Sequence, residues 1–274
     1  MASTTQFRNV TKGFLTTSLG KLYYWIVGQG TPLLCIHQSS SSSEEYASLI
    51  PLLSDRYQII SFDWIGHGNS DDPDHEPNVE EYTDCAEAIL DHLSIKSFSA
   101  IGHHGGALIA MNLAYRQPDR VKALILSGTS GPKTEKEAQQ FKATLKSKKK
   151  KPLERSGEAL FDAWKRYADY MPYAEAMEMI PPYINSLNQK IKPYDAHGSM
   201  LKWDRNPALH SLRCPVLLLQ GSFDVFVSKQ DKLMEIIPNC ERVELSNSGP
   251  FGFFDDGENC AMAIDNFLTN RLVK

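Results

Sequence analysis

The sequence predicts an α/β fold, in which a mostly parallel, doubly wound sheet carries helices on both faces and a helical lid is inserted. Three observations predict it. Short apolar runs alternate with stretches at helical spacing, which is typical of parallel sheets. The alternation stops over residues 132–206, which are polar and irregular, and then resumes. A glycine-framed turn at residue 104 joins a strand directly to a helix. We therefore predict a core formed by residues 1–131 and 207–274, with residues 132–206 as the lid.

The composition is typical of a globular protein without a nucleic-acid or membrane partner. The 274 residues are 42% hydrophobic, enough for a large core, and the net charge of −4 gives no reason to expect nucleic acid. No apolar run approaches the roughly 20 residues that cross a bilayer. Residues 1–12 are polar and lack the apolar centre of a signal peptide. The five scattered cysteines form no Cys-x-x-Cys pair, so we expect reduced thiols and a cytoplasmic location.

The chain opens with strands. Aromatic and branched residues predict two strands over 14–17 and 21–27, which turn at Leu19–Gly20. The nearly continuous apolar run 32–37 is typical of a strand that is buried on both faces of a parallel sheet.

A run of serines follows at residues 39–43. Ser42 stands three residues before Glu45 and ahead of apolar residues at helical spacing, which predicts a capping box that opens a helix. A flexible linker is the alternative for such a run.

The next segments place the central turn. Residues 57–62 form an apolar strand that ends in the glycine-rich stretch 63–70. One apolar face over residues 79–93 predicts a helix. After the central turn, a helix is predicted from about Gly106 to Arg116, where Pro118 marks its end.

The lid and the last elements complete the chain. A strand is predicted over 121–126 before the lid. After the lid we predict a strand, a helix, a strand and a helix, over residues 215–220, 229–237, 241–245 and 259–272. Within the lid, the run Lys148–Lys151 is interpreted as solvated. An aromatic and methionine-rich stretch would pack the lid and line an apolar pocket: Phe161, Trp164, Tyr167, Tyr170, Met171 and Tyr183.

The central turn has the spacing Gly-x-X-x-Gly between Gly102 and Gly106, with His104 in the middle. In a nucleophile elbow this spacing presents a serine on a strained strand-to-helix turn. Histidine at that position keeps the shape of the elbow and removes its usual nucleophile. An elbow presents its central side chain at the mouth of a pocket, which favours a chemical role for His104. A catalytically dead, substituted elbow is the alternative. His103 is interpreted as a packing residue beneath the turn.

Together these motifs resemble the α/β-hydrolase superfamily over nearly the whole chain, with the lid after the sixth strand. The motifs, in order, are the strand ending in His37, Asp63-x-x-Gly66-x-Gly68-x-Ser70, the elbow, Pro118-x-Arg120-Val121 and Gly221-x-x-Asp224. The elbow itself is similar to that of an atypical subset with the pattern Gly-His-His-x-Gly.

The resemblance implies where the site residues lie. In this fold the nucleophile, the acid and the histidine follow one another along the chain. Asp224 stands where the acid of the family stands, although an aspartate that caps the following helix is the alternative. Pro250 stands where the family carries its histidine, and proline exchanges no proton. An ordinary serine mechanism is therefore excluded, and His104 and Asp224 are the predicted catalytic residues.

The resemblance also implies an oxyanion and substrate-binding site. The N–H of Gly105 would be one donor at the start of a helix. The other donor would come from the loop His37-Gln38-Ser39, in which Gln38 replaces the more usual glycine and adds an amide that can bind a substrate. His37 is interpreted mainly as a structural residue of that loop. Trp64 would line an apolar pocket for a small hydrophobic molecule.

We expect His104 to act as general acid or base on a small hydrophobic carbonyl compound. The reaction would be that of a lyase, decarboxylase, cyclase or isomerase, or hydrolysis without serine. A non-catalytic small-molecule binder and acyl transfer through His104 are the alternatives. A metal held by His37, His104 and Asp224 is conceivable, but no local ligand spacing supports it, so we expect neither a metal nor a cofactor.

Overall fold

The structure is a computed structural model that describes residues 10–132, 155–190, 192 and 196–272, together with the single residues 135 and 139. It confirms the predicted α/β class with a mostly parallel sheet. Within these described residues, eight strands form one sheet: β1 (Thr11–Thr17), β2 (Gly20–Val27), β3 (Thr31–Ile36), β4 (Tyr57–Phe62), β5 (Phe98–His103), β6 (Val121–Ser127), β7 (Val216–Gly221) and β8 (Cys240–Leu245).

The strand order is β1-β2-β4-β3-β5-β6-β7-β8. β1 and β2 are antiparallel to their neighbours, and the remaining pairs are parallel. Every residue of β5 and β7 is buried, as expected for central strands covered on both faces. Because these parallel strands end at the same edge of the sheet, the loops after β3, β5 and β7 lie close together there.

Helices cover both faces of the sheet. They are α1 (Ile50–Leu53), α2 (Val79–His92), α3 (Gly105–Arg116), α4 (Glu158–Tyr170), α5 (Ala176–Lys190), α6 (Ala196–Lys202), α7 (Asn206–Ser211), α8 (Gln230–Ile236), α9 (Gly252–Asp255) and α10 (Gly257–Leu272). The helices α4 to α7 lie between β6 and β7; α4 to α6 fall within the predicted lid, and α7 begins at its last residue and continues into the segment predicted as core. The run Lys148–Lys151 lies outside the described residues.

Two apolar cores stabilise the fold, one on each face of the sheet. The larger core packs α2 and α3 against the sheet, with Leu209 and Leu233 from later helices. The second core packs α10 and the segment around Tyr46 on the opposite face, with Phe253. Both cores are built from side chains that are removed from water, which is the main favourable contribution to folding.

The predicted capping box at Ser42 is wrong. Residues Ser43–Leu49 form a 3₁₀ segment, and the Ser42 side chain makes no capping hydrogen bond. The carboxylate of Glu45 instead contacts the end of β5 and the loop after β3, so the residue that matched the pattern has another structural role. A capping box does start α2, between Asn78 and Glu81.

The five thiols are all free, and four of them are buried. Burial raises the pKa of Cys85 to about 12 and that of Cys214 to about 11, so these thiols stay protonated near neutral pH. No helix within the described ranges has the length and apolar character of a membrane span.

Candidate active site

The elbow is a tight turn at the end of the central strand. β5 ends at His103 and α3 begins at Gly105, so His104 lies between them with φ 48° and ψ −108°. This conformation is rare for a residue with a side chain and costs about 1–3 kcal/mol. The glycines that frame the turn allow it. A Cβ on Gly102 would lie 2.2 Å from the Gly106 carbonyl oxygen, and one on Gly106 would lie 2.1 Å from the Ile36 carbonyl oxygen.

The side chain of His104 reaches Asp224, which follows β7. Nε2 of His104 lies 2.7 Å from Oδ2 of Asp224, and Oδ1 accepts the N–H of Phe226 at 2.8 Å. The Asp224 side chain is 2% exposed, whereas that of His104 is 14% exposed. The structure therefore brings the two predicted catalytic residues together, with the aspartate behind the histidine and the histidine open to a ligand.

The two charges stabilise one another. Burial alone would lower the pKa of His104, but the charge and the hydrogen bond of Asp224 outweigh it and raise that pKa above the ordinary value. Burial alone would raise the pKa of Asp224, but the nearby His104 and the Phe226 N–H bring it down to about 2. Asp224 is therefore ionised across the physiological range.

The hydrogen bond fixes which nitrogen of His104 can act. An ionised carboxylate only accepts hydrogen bonds, so the Nε2–H of His104 donates a hydrogen bond to Asp224 and keeps its proton. Nδ1 is then the nitrogen that can take up or release a proton. Among the described residues the His104 ring makes no second hydrogen bond, so this nitrogen is available to a substrate.

Gly128, at the end of β6, makes room for this pair. Its φ is +57°, and a Cβ there would lie 2.3 Å from Cδ2 of His104 and 2.8 Å from Oδ2 of Asp224. The backbone of the chain therefore passes directly beside the hydrogen bond.

We expect Gly128→Ala to separate His104 from Asp224 and to lower the free energy of unfolding by about 2–4 kcal/mol, from backbone strain and the clash together. Gly157 is the matched control, because its φ of +78° is also positive but nothing lies within 4 Å of its added Cβ. Urea denaturation of both variants measures the difference. Equal losses in the two variants would mean that φ alone, and not the crowding at His104, requires glycine.

A second group of predicted residues meets at the start of α3. Gly105 occupies the first helical position, where a helix leaves N–H groups without a helical acceptor. A Cβ on Gly105 would lie 2.4 Å from Oγ of Ser39 and 3.0 Å from the Trp64 ring. Within the described part of the chain, the buried Oγ of Ser39 and Nε1 of Trp64 have no hydrogen-bond partner. An unpartnered hydroxyl on Ser39 therefore lies next to the first residue of α3.

His37 and Gln38 use their polar atoms within the protein. Nδ1 of His37 lies 2.7 Å from the Gln38 carbonyl oxygen, and Nε2 accepts the Trp64 N–H at 3.1 Å. Burial lowers the pKa of His37, so the ring is neutral with its proton on Nδ1. The Gln38 amide donates to the Pro250 carbonyl oxygen at 3.3 Å. These two residues shape the loop after β3 and join it to the loop that carries Pro250.

The structure adds a second histidine–carboxylate pair, which the sequence did not indicate. Nδ1 of His103 is in close contact with Oε1 of Glu45, and both side chains are almost fully buried. The rings of His103 and His104 pack edge to face, with centroids 4.7 Å apart. In the sequence, Glu45 matched a helix-capping pattern and His103 was interpreted as a packing residue. Neither interpretation predicted that the two residues form a pair.

Three side chains of the types that bind metals come together in the same group, but two of them are bonded to each other. The ligand atoms of His103, His104 and Asp224 are all within 4.8 Å of one another, so His103 replaces His37 in the set that the sequence suggested. His104 and Asp224 direct their facing atoms at each other in a hydrogen bond. This arrangement is that of a hydrogen-bonded histidine–carboxylate pair.

The lid aromatics pack mainly on one another. Met171 and Met179 form a small buried cluster with Phe251, against which Trp164 and Tyr167 pack. Phe161 and Tyr170 are exposed, by 67% and 42%. The cluster joins the segment predicted as a lid to the loop after β8, where Pro250 and Phe251 lie.

Comparisons with known proteins agree with this fold. A family model described as the alpha/beta hydrolase fold matches residues 31–257. The structure is similar to that of a hydrolase from Pseudomonas aeruginosa PA01, with a TM-score of 0.78 and 18% identity over 94% of this chain and 98% of that chain. An enol-lactonase from Burkholderia xenovorans LB400 has a TM-score of 0.74 and 20% identity, over 94% of this chain and 100% of that chain. At these identities the likeness concerns the fold.

Curated relatives match a shorter part of the chain. A cis-3-alkyl-4-alkyloxetan-2-one decarboxylase from Shewanella oneidensis is 37% identical over 120 residues, 42% of this chain and 38% of the relative. A 2-hydroxymuconate semialdehyde hydrolase from Pseudomonas sp. is 35% identical over 108 residues, 38% of each protein. The match spans about two-fifths of the length of these relatives.

Proposed function

Because the chain belongs to the alpha/beta hydrolase fold family, we propose that it is an enzyme of the atypical subset in which an elbow histidine, and no serine, carries the chemistry. The observation that supports this proposal is the 2.7 Å hydrogen bond between His104 and Asp224. The histidine at the elbow is oriented directly by the residue that occupies the acid position. A separate histidine on the loop of Pro250 is then unnecessary.

In the proposed reaction Nδ1 of His104 takes a proton from the substrate, or from a water molecule, and returns it to the product. Asp224 holds the ring in the required tautomer and stabilises the imidazolium that forms. The hydroxyl of Ser39 and the N–H of Gly105 donate hydrogen bonds to the carbonyl oxygen of the substrate, where negative charge develops. Trp64, which was expected to line the pocket, is fully buried and packs behind Gly105.

The proposed substrate is a small hydrophobic carbonyl compound. A carbonyl oxygen fits the two donors beside the elbow, and proton transfer next to a carbonyl is the chemistry that a lone general base performs well. The names of the two curated relatives also contain carbonyl compounds, an oxetan-2-one and a semialdehyde. Those two compound classes are therefore the first to test with this protein.

The test is to incubate the protein separately with a cis-3-alkyl-4-alkyloxetan-2-one and with 2-hydroxymuconate semialdehyde in ¹⁸O-water and to identify products by mass spectrometry. We expect conversion of at least one compound, with no acyl adduct on the protein. Label in a product carboxylate would indicate attack by activated water, including hydrolytic carbon–carbon cleavage, and a product without it would indicate decarboxylation or rearrangement. Binding of both compounds without conversion would contradict the proposal and favour a non-catalytic binder. An acyl adduct on His104 would favour acyl transfer.

A further inference from the structure

The buried pair of Glu45 and His103 lies directly behind the elbow. Glu45 is 0% exposed and His103 is 2% exposed. Oε1 of Glu45 contacts Nδ1 of His103, while Oε2 accepts the N–H of Gln38 at 3.2 Å. A buried carboxylate requires this kind of compensation, because its removal from water is otherwise costly. Glu45 thus joins the end of β5 to the loop after β3.

The pair is coupled to His104 by ring packing. His103 packs edge to face on His104 at 4.7 Å and on Phe253 at 5.0 Å, with interplanar angles of 82° and 81°. Phe226 contacts the His104 ring at 5.4 Å. The His104 ring therefore contacts both His103 and Phe226 while its Nε2–H is hydrogen-bonded to Asp224.

We propose that Glu45 and His103 are positioning residues for His104: His103 holds the ring in the orientation that reaches Asp224, and Glu45 supplies a second negative charge behind it. This inference rests on the proposed acid–base role of His104. It goes beyond that role because it gives a function to a buried pair that would otherwise only add cost to folding. Glu45 also holds the loop of Ser39, so one carboxylate would align both the base and the oxyanion donors.

The direction in which the pKa of His104 shifts follows from the charged groups around its ring. The charged and titratable groups that act on His104 are Asp224 after β7, Glu45 in the 3₁₀ segment and His103 at the end of β5. Asp224 makes the larger contribution and Glu45 a smaller one, and both raise the pKa of His104. The neighbouring His103 and His104 lower the pKa of Glu45 and Asp224 respectively, against the opposing effect of burial.

The test compares Glu45→Gln with Glu44→Gln. Glu44 is the adjacent residue in the same 3₁₀ segment, but it is exposed, so it is a matched control. We expect Glu45→Gln to lower the NMR titration midpoint of His104 by about 0.5–1 pH unit and to reduce kcat about tenfold, with little change in KM. Glu44→Gln should leave all three unchanged. A purely structural role of Glu45 would change stability and leave the midpoint in place.

His103→Asn is the second variant, because asparagine can still hydrogen-bond Glu45 but has no ring to pack on His104. We expect a lower kcat and a His104 resonance broadened by ring motion. The proposal is overturned if both variants fold and leave the His104 midpoint and kcat at the wild-type values. It is also overturned if the wild-type protein shows no hydrogen-bonded Nδ1–H proton on His103, a measurement that needs no variant. Neither result would contradict the acid–base role of His104 itself, which substitution of His104 tests separately.

Discussion

His104→Asn should lower kcat for the true substrate by about 10²- to 10⁴-fold, which is the usual contribution of a general acid or base. Asparagine is the appropriate replacement, because it tolerates positive φ better than other residues with a side chain, so the elbow should still form. The assay uses whichever carbonyl compound the wild-type protein converts. Circular dichroism and thermal melting confirm that the variant is folded.

Two further substitutions sharpen that experiment. His210→Asn removes an exposed histidine on α7 and should leave the rate unchanged. His104→Ser restores the residue of an ordinary elbow, but Pro250 offers no histidine to take its proton, so we expect no recovery of activity. Full activity in His104→Asn, or a gain of hydrolysis in His104→Ser, would contradict an acid–base role for His104.

Asp224→Asn should lower kcat by about 10²-fold or more, because an amide neither holds the negative charge beside His104 nor fixes the tautomer of its ring. The pH profile should move as well. In the wild-type protein, the midpoint of the pH profile that reports His104 lies above the ordinary histidine pKa of about 6.5. In Asp224→Asn the effect of burial prevails and lowers the pKa of His104, so this midpoint should move to lower pH.

The same substitution has a pH-dependent effect on stability. The raised pKa of His104 contributes stability that is complete below about pH 6.5 and is lost as pH rises through the raised value. The lowered pKa of Asp224 contributes stability above about pH 3.9 that is lost as pH falls towards 2. Asp224→Asn should therefore lower the free energy of unfolding most, by about 1–3 kcal/mol, between roughly pH 4 and 6.5.

Asp231→Asn is the control for that measurement. Asp231 pairs with Arg242 at 2.7 Å, but its side chain is 89% exposed. An exposed ion pair contributes less than about 1 kcal/mol, so this variant should lose little stability at any pH. Urea denaturation at several pH values compares the two. A loss in Asp224→Asn that does not vary with pH would contradict the linkage to His104.

The fold could be predicted from the sequence because local patterns and global architecture agree. The apolar runs at 57–62 and 121–126 became β4 and β6, with one added residue in β6. The central turn required glycines at both ends, and the crowding around Gly102 and Gly106 explains why. These features depend on residues close in the chain, whose spacing is visible in the sequence.

Glu45 could not be predicted, because its partners lie far along the chain. Its spacing from Ser42 matches a capping box, yet the carboxylate bonds His103, 58 positions away. Which of two possible partners a side chain bonds depends on the tertiary structure. The spacing of residues along the chain carries no information about that. The crowding at Gly128 has the same origin, since it arises where β6 passes the pair formed by His104 and Asp224.

The pair of His104 and Asp224 could be predicted from the sequence only in part. Its members were predicted from the positions that the family motifs occupy. The sequence did not reveal that the His104 ring itself reaches Asp224, without a second histidine between them. That result depends on a backbone φ of 48° at the elbow, which turns the ring towards β7.

NMR titration of the ¹⁵N-labelled His104 ring, assigned with His104→Asn, tests the central claim most directly and needs no substrate. We expect Nε2 to carry a proton throughout and Nδ1 to titrate with a midpoint above about 6.5, which falls below that value in Asp224→Asn. A neutral ring with its proton on Nδ1, or a midpoint that Asp224→Asn leaves unchanged, would contradict the claim that Asp224 prepares His104 as the base.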